Sequence, residues 1–207
     1  MRNRDDLARA IRRLDVEDAA RAAAAAVPEA ARRAGLLDVA YATVDSPFGP
    51  LLVAATRRGL VRLAYPNEPV DHALAELARA VSSRILESPA TLDDLRRQLD
   101  EYFDGERSRF DTRIDWSLTR GFTTRVLQAT TRIPFGSVST YKAVAGRAGN
   151  ERASRAAGNA LGSNPIPIVV PCHRVLHTGG GLGGYTGGIA RKEFLLRLEG
   201  VLPTQPA

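Results

Sequence analysis

The chain of 207 residues is 44% hydrophobic and 25% charged, carries a net charge of +6 and holds a single cysteine. One globular domain or two small ones fit that length; one thiol excludes an intrachain disulfide, and the apolar runs are too short for a membrane span or a signal peptide, so a cytoplasmic protein is expected. The charge is uneven: residues 1–116 hold 18 Lys and Arg against 20 Asp and Glu, whereas 117–207 hold 11 against 3, an excess that suits a polyanion such as nucleic acid or simply a solvated basic face.

In residues 1–35, Leu7, Ala10, Ile11 and Leu14 fall at helical spacing and Pro28 interrupts a second Ala-rich run, which predicts two short helices forming an extension. Residues 36–116 predict a small α/β scaffold. Val39, Tyr41 and Thr43 alternate, as do Leu51, Val53 and Ala55; with the turns Ser46–Pro50 and Arg57–Gly59, and Leu60–Tyr65, they make an antiparallel meander. Helical stripes follow at Val70, Leu74, Leu77, Ala78 and Val81, and at Leu92, Leu95, Leu99 and Phe103. Thr91, with Asp94 three residues on, is the expected N-cap and Gly105 the stop. Alternation of Phe110, Thr112, Ile114 and Trp116 predicts one more strand.

Residues 117–207 predict a mostly helical unit. Phe122, Val126, Leu127 and Thr130 mark a helix over about 119–133, ended by Pro134-Phe135-Gly136. Ser139 or Thr140 is placed to cap a short helix reaching Arg147, Gly149-Asn150 turns the chain, and 151–161 form a second helix. This is the outline of a helix-turn-helix, or of an αα-hairpin without DNA contact. The second helix is slim: Ala153, Ala156, Ala157, Gly158 and Ala160 leave Arg152 and Arg155 as its main long side chains. Such a helix suits a narrow groove or tight helix packing equally.

Ile166–Val170 then leads into Pro171-Cys172-His173-Arg174-Val175. A lone cysteine here is either a buried, inert thiol or a nucleophile whose thiolate a neighbour stabilises. On an extended chain Cys172 and His173 point to opposite faces, so their contact needs a local turn or a bridging water. Asn164, before two closely spaced prolines, is expected to bond the backbone and shape the turn. Glu199 ends a helix starting near Ile189, just before Gly200, where the macrodipole disfavours a carboxylate; either a specific cation such as protonated His173 or plain solvation accounts for it.

In order and spacing, Arg155-Ala156-Ala157-Gly158, Asn164-Pro165, Pro171-Cys172-His173-Arg174-Val175, Gly183-Gly184-Tyr185-Thr186-Gly187-Gly188 and Lys192 through Glu199 resemble the O6-alkylguanine-DNA alkyltransferases. The likeness is tightest over these residues, looser in the N-terminal half and absent from the first 35. It implies an α+β fold: a small N-terminal RNase-H-like α/β domain, then a mostly helical C-terminal domain with a helix-turn-helix. It also implies a chemistry. The Cys172 thiolate attacks the alkyl carbon on O6 of a flipped guanine in double-stranded DNA, with O4-alkylthymine as an open second substrate, and keeps the alkyl group irreversibly.

The same resemblance assigns roles. Cys172, His173 and Glu199 form a water-linked relay, Asn164 shapes the cysteine turn, and Lys192 anchors the nearby loop or the base. Tyr141 helps rotate the nucleotide and can donate a proton to it. Arg155 replaces the extruded base in the stack while the slim helix, with Arg152, Ala156 and Gly158, lies in the minor groove. Tyr185, Thr186, Gly184, Pro167 and Val175 line the base pocket. A monomer is expected, with cooperative assembly along DNA left open. No cofactor is implied; relatives that bind zinc do so through N-terminal cysteines, which this chain lacks, and His177 with Cys172 and His173 would leave a fourth ligand missing and disable the thiol. Two other classes stand beside this reading: a DNA-binding or damage-sensing module without chemistry, and a Cys-His hydrolase, whose base usually lies far from its cysteine in sequence.

Overall fold

The computed structural model describes residues 26–203, together with 19, 22 and 23. The first of the two helices expected before residue 35 lies outside the described residues. Residues 26–33 are helical (α1) and include Pro28, expected to interrupt a helix, with its ring buried.

Strands β1 (Val39–Val44), β2 (Leu51–Thr56) and β3 (Gly59–Ala64) form the expected meander. Tyr41 stands opposite Ala54, and Val53 opposite Leu63. A fourth strand, β4 (Ile85–Glu87), pairs parallel with β1 and gives the order β3-β2-β1-β4. Three residues are too short for an alternation to register, which is why the sequence pattern misses it. Val39, Ala54 and Val61 lie on one face, where Leu77 of α2 (Val70–Ala80) covers them. Ala42, Val44, Leu51 and Val53 alternate to the other face, and a register shift opposite Ala54 and Ala55 leaves Val61 as a bulge, so that Leu60 and Leu63 both point there too, onto α3 (Asp93–Phe103) and the helical half, in one continuous core.

Two local expectations are corrected. Thr91 does not cap α3: Pro89, whose fixed φ suits a first turn, starts a 3-10 turn over Pro89–Leu92, and the Thr91 hydroxyl bonds that of Ser88. The strand expected at 110–116 is an extended segment with a single bridge, Ile114 to Leu60. Leu60 N donates to Arg113 O and accepts, through its own carbonyl, from Asp115 N, both at 2.8 Å. Pairing stops there because Asp115 turns to cap a 3-10 turn over Trp116–Leu118, accepting from Ser117 N.

In the helical half, α4 (Gly121–Thr130), α5 (Tyr141–Arg147) and α6 (Ser154–Gly162) pack on one another. Thr140 caps α5 by accepting from Ala143 N, and Arg125 of α4 donates to Ala148 O at its far end. The slim helix packs tightly, as its composition allowed, and keeps one face open. Ala157 and Ala160 are buried against the other helices, while Arg155 and Ala156 face outward. A two-residue parallel pair, β5 (Ser139–Thr140) with β6 (Val175–Leu176), and α7 (Ile189–Leu198) complete the fold.

Candidate active site

The cysteine is delivered by a tightly bonded loop. Asn164 Oδ1 accepts from Ile166 N at 3.0 Å, and its Nδ2 donates to Val170 O at 2.9 Å and to Cys172 Sγ at 3.1 Å. Val170 N reaches back to Ile166 O, and Val169 N to Pro167 O. Between them Ile168 has φ 72°, the only positive φ outside glycine among the described residues. A buried β-branched residue in that region costs on the order of 1–3 kcal/mol and persists only where its surroundings dictate it.

Cys172–Arg174 then forms a 3-10 turn, but His173 Nε2 turns to Glu199 and no hydrogen bond joins its ring to Cys172 Sγ, so of the two expected routes between them the bridging water is the one left open. Cys172 is only 4% exposed. Burial pushes its thiol up to about 11, against the Asn164 amide and the Lys192 charge, so at neutral pH the resting sulfur carries its proton.

Glu199 lies at the C-terminal end of α7, buried, with four donated hydrogen bonds. Its Oε1 faces His173 Nε2 at 2.9 Å and accepts from Tyr102 Oη at 2.7 Å and Arg174 Nη2 at 2.8 Å; Oε2 accepts from Arg174 Nε at 2.8 Å. Arg174 Nη1 also binds Ile133 O at 2.6 Å. The cation expected beside this carboxylate is therefore Arg174 and not protonated His173. Burial lowers the His173 pKa despite the neighbouring carboxylate. Burial alone would raise Glu199; the hydrogen bonds of His173 and Arg174, with the Arg174 charge, outweigh it and hold the carboxyl at about 2. A neutral imidazole facing a carboxylate keeps its proton on Nε2. Its Nδ1 is left as an acceptor, buried without a hydrogen-bond partner among the described residues.

Cys172 opens onto a cavity of about 580 Å³, lined also by Tyr141, Arg155, Gly158, Tyr185 and Thr186. That volume is in the range of small-molecule sites. Thr186 Oγ1 ties the far wall to Gly162 O at 2.7 Å, and Tyr185 Oη bonds Tyr65 Oη at 2.7 Å. At Gly187 a Cβ would come within 2.6 Å of the Tyr65 ring, so only glycine lets the loop pass there.

Comparison with known proteins places this geometry. Residues 39–116 match the family model for the ribonuclease-like domain of 6-O-methylguanine DNA methyltransferase, and residues 121–201 the model for its DNA binding domain. The chain belongs to this methyltransferase family. The methylated-DNA–protein-cysteine methyltransferase of Methanosarcina acetivorans is 41% identical over 160 residues, 77% of this chain and 97% of that protein. The inducible enzyme of that name from Bacillus subtilis is 36% identical over 149 residues, 71% of this chain and 82% of that one. The crystal structure of Mycobacterium tuberculosis OGT in complex with DNA superposes with a TM-score of 0.66 at 38% identity, covering 77% of this chain and 92% of that one.

Within this family member, most of the residues singled out by sequence converge. Cys172, Tyr141, Arg155, Gly158, Gly184, Tyr185 and Thr186 share the cavity, with Asn164, His173 and Glu199 bonded behind the sulfur. Arg152 and Ala156 lie exposed alongside Arg155. Lys192 is fully buried and lies outside the cavity lining; its Nζ donates to Val175 O at 2.6 Å and to Leu182 O, stitching β6 to the glycine-rich loop. Burial draws its ammonium down to about 8.

Two expected lining residues are elsewhere. Val175 sits in β6 with its side chain in the core, and Pro167 lines a separate hollow with Arg62 and Glu68, because the chain reverses through Ile168 before it reaches Cys172. Ser154, Asn159 and His177 line the cavity unforeseen; His177 stacks at 5.0 Å on the Tyr141 ring. Helical spacing from Arg155 and Gly158 was the available signal for Ser154 and Asn159.

Proposed function

We propose that this protein repairs O6-alkylguanine in double-stranded DNA by taking the alkyl group onto Sγ of Cys172, once per molecule. The observation that carries the reading is the thiol's setting: a protonated, buried sulfur opening onto a cavity of about 580 Å³, roomy enough for an extruded base, held by the Asn164 amide, with an unpartnered imidazole nitrogen in the next residue.

Because the resting thiol is protonated, its proton must leave as the sulfur attacks. In this reading Nδ1 of His173 takes that proton through a bridging water, while Glu199 orients the ring through Nε2. The S–C bond forms as the C–O6 bond breaks. The electron pair of the broken bond goes to the base, which takes up a proton from Tyr141. The products are an unmodified guanine and a thioether at Cys172. A thioether, unlike a disulfide, is not reversed by thiol exchange, so the sulfur stays alkylated.

The target base has to leave the duplex to reach the cavity. Unstacking costs a few kcal/mol, which Arg155 offsets by filling the vacated place as α6 lies in the minor groove, with Arg152, Ala156 and Gly158 along the contact. Tyr185, Thr186 and Gly184 hold the extruded base. The proposal assigns residues 36–116 to a scaffold and 117–207 to DNA binding and alkyl transfer, in a monomer acting in the cytoplasm without a metal or cofactor. Among the described residues no helix is long and apolar enough to cross a membrane.

Intact-mass measurement after incubation with a duplex containing O6-methylguanine tests the reading. The expected product is protein heavier by one methyl, mapped to Cys172. Lesion binding with an unmodified cysteine would replace it with a sensing module, and turnover of a model ester without stable labelling would replace it with a hydrolase.

A further inference from the structure

One donor on the carboxylate of the proposed relay comes from the other half of the molecule. Tyr102, near the end of α3, is fully buried, and its hydroxyl reaches Glu199 Oε1, the same oxygen that faces His173 Nε2. The two residues are 97 positions apart in the chain. The phenol ring is clamped by Phe103, Phe110 and Phe135, with centroids at 5.5, 5.2 and 6.2 Å. Its hydroxyl is thus fixed by aromatic packing independently of the bond it makes.

We infer that Tyr102 is a positioning residue for alkyl transfer: its hydroxyl fixes Glu199 Oε1 and draws charge from it, setting how strongly the carboxylate supports a proton on His173. The inference rests on the His173 relay proposed above. A carboxylate oxygen shared among three donors is a weaker acceptor toward each of them. Arg174 alone already binds both oxygens, so Tyr102 is not needed for charge balance. Its effect falls on the share of charge left for the Nε2–H. Burial, then the Glu199 charge, push the phenol well above its ordinary range, so it remains a donor.

The charged and titratable groups around the pair come from three elements. Arg174 and Cys172 belong to the 3-10 turn, Tyr102 to α3, and Lys192 to α7, where its Nζ is held on two carbonyls. The Tyr185 ring stands edge-on to His173 at 6.4 Å. Among them Tyr102 is the neutral donor bonded directly to the carboxylate. Removing its hydroxyl leaves more negative charge facing His173 and raises the proton affinity of the ring, so the imidazole stays protonated, and unable to act as base, up to a higher pH.

The test uses the full chain and free O6-benzylguanine, a substrate that needs no base flipping, with Cys172 benzylation followed by intact mass as a function of pH. Tyr102→Phe keeps the ring and should move the midpoint of the acid limb of the pH–rate profile toward alkali by about 0.5 unit or more. An unmoved midpoint, or one moved toward acid, whatever happens to the rate or to thermal stability, overturns the inference. Site-specific 3-fluorotyrosine at position 102, a stronger donor of nearly the same shape, should move the midpoint toward acid, and it carries the test should the Phe variant fail to fold. No shift, or a shift toward alkali, overturns the inference there. His173→Gln run in parallel separates the two ideas. A wild-type profile in that variant removes the relay itself, whereas a His173-dependent profile that neither change at 102 moves removes only Tyr102.

Discussion

The sheet half and the helical half differ in what they offer the cavity. Among the described residues, its lining runs from Tyr141 to Thr186, all in the basic helical half. The sheet half supports the site from behind, and three of its hydrogen bonds are Leu63 N to Pro165 O at 2.8 Å, Tyr65 Oη with Tyr185 Oη at 2.7 Å, and Tyr102 Oη to Glu199 at 2.7 Å. Each lands on a different supporting part, namely the Asn164 turn, the base-pocket loop and the carboxylate. In the proposed mechanism one half presents the reacting groups, and the other sets their positions and proton affinities.

The sharpest way to isolate the presenting half is to delete its sulfur. Cys172→Ser should abolish alkyl transfer altogether while leaving affinity for a lesion duplex within a few-fold of wild type, since phosphate contacts supply most of the binding; fluorescence anisotropy and intact mass check both parts. Parallel loss of binding would mean that the thiol also holds the DNA-binding half together.

Arg155→Ala should slow repair in duplex DNA about tenfold or more, because nothing then replaces the extruded base, yet change the rate with free O6-benzylguanine less than about twofold. Equal losses on both substrates would turn Arg155 into a structural residue of α6.

A further effect is that of pH on the 3-10 turn that carries His173. His173 has a folded pKa below its ordinary 6.5, so below that value the unfolded chain binds the proton first and stability falls as pH falls. Glu199, held at about 2 when folded against an ordinary 4.5, adds a second loss as pH drops below 4.5. Thermal midpoints between pH 8 and pH 4 should show the first decline, and His173→Gln should flatten it. A midpoint independent of pH between 7 and 5 would mean that folding leaves the proton affinity of His173 unchanged, and one that rises as pH falls would mean that the buried imidazole is charged.

The smallest effect belongs to the supporting half. Tyr65→Phe removes one hydroxyl and leaves that of Tyr185 without its partner, a loss of about 1 kcal/mol that should lower the thermal midpoint by a few degrees. It should also alter the ratio of benzyl to methyl transfer, because the cavity wall formed by Tyr185 is no longer pinned. A rate loss as large as that of Arg155→Ala would break the division between presenting and supporting halves.

What the sequence made legible follows from how local each signal is. The meander and the helical stripes could be read because each buries one face, so period 2 or 3.6 is written into consecutive residues. Cys172, His173, Asn164 and Glu199 were legible through residue type beside turn and helix-end signals. Tyr102 was not: it continues the stripe of Leu95 and Leu99, so it looks like one more core aromatic, and its bond spans 97 residues. Arg174 was read as a neighbour of the thiol, while its guanidinium is spent on Glu199 and Ile133. The positions of Pro167 and Val175 depend on the reversal at Ile168, a conformation that a β-branched residue gives no local reason to expect.

Burial of the one cysteine has a practical corollary. In the unfolded chain every reactive thiol belongs to Cys172, so thiol content in denaturant counts the molecules that have not yet reacted. In the native protein the same sulfur is within reach only of reagents that fit the cavity. Titrating one sample in both states with a bulky maleimide would separate spent protein from protein that is intact but closed to the reagent, and so give each preparation its own internal dosimeter of past alkylation.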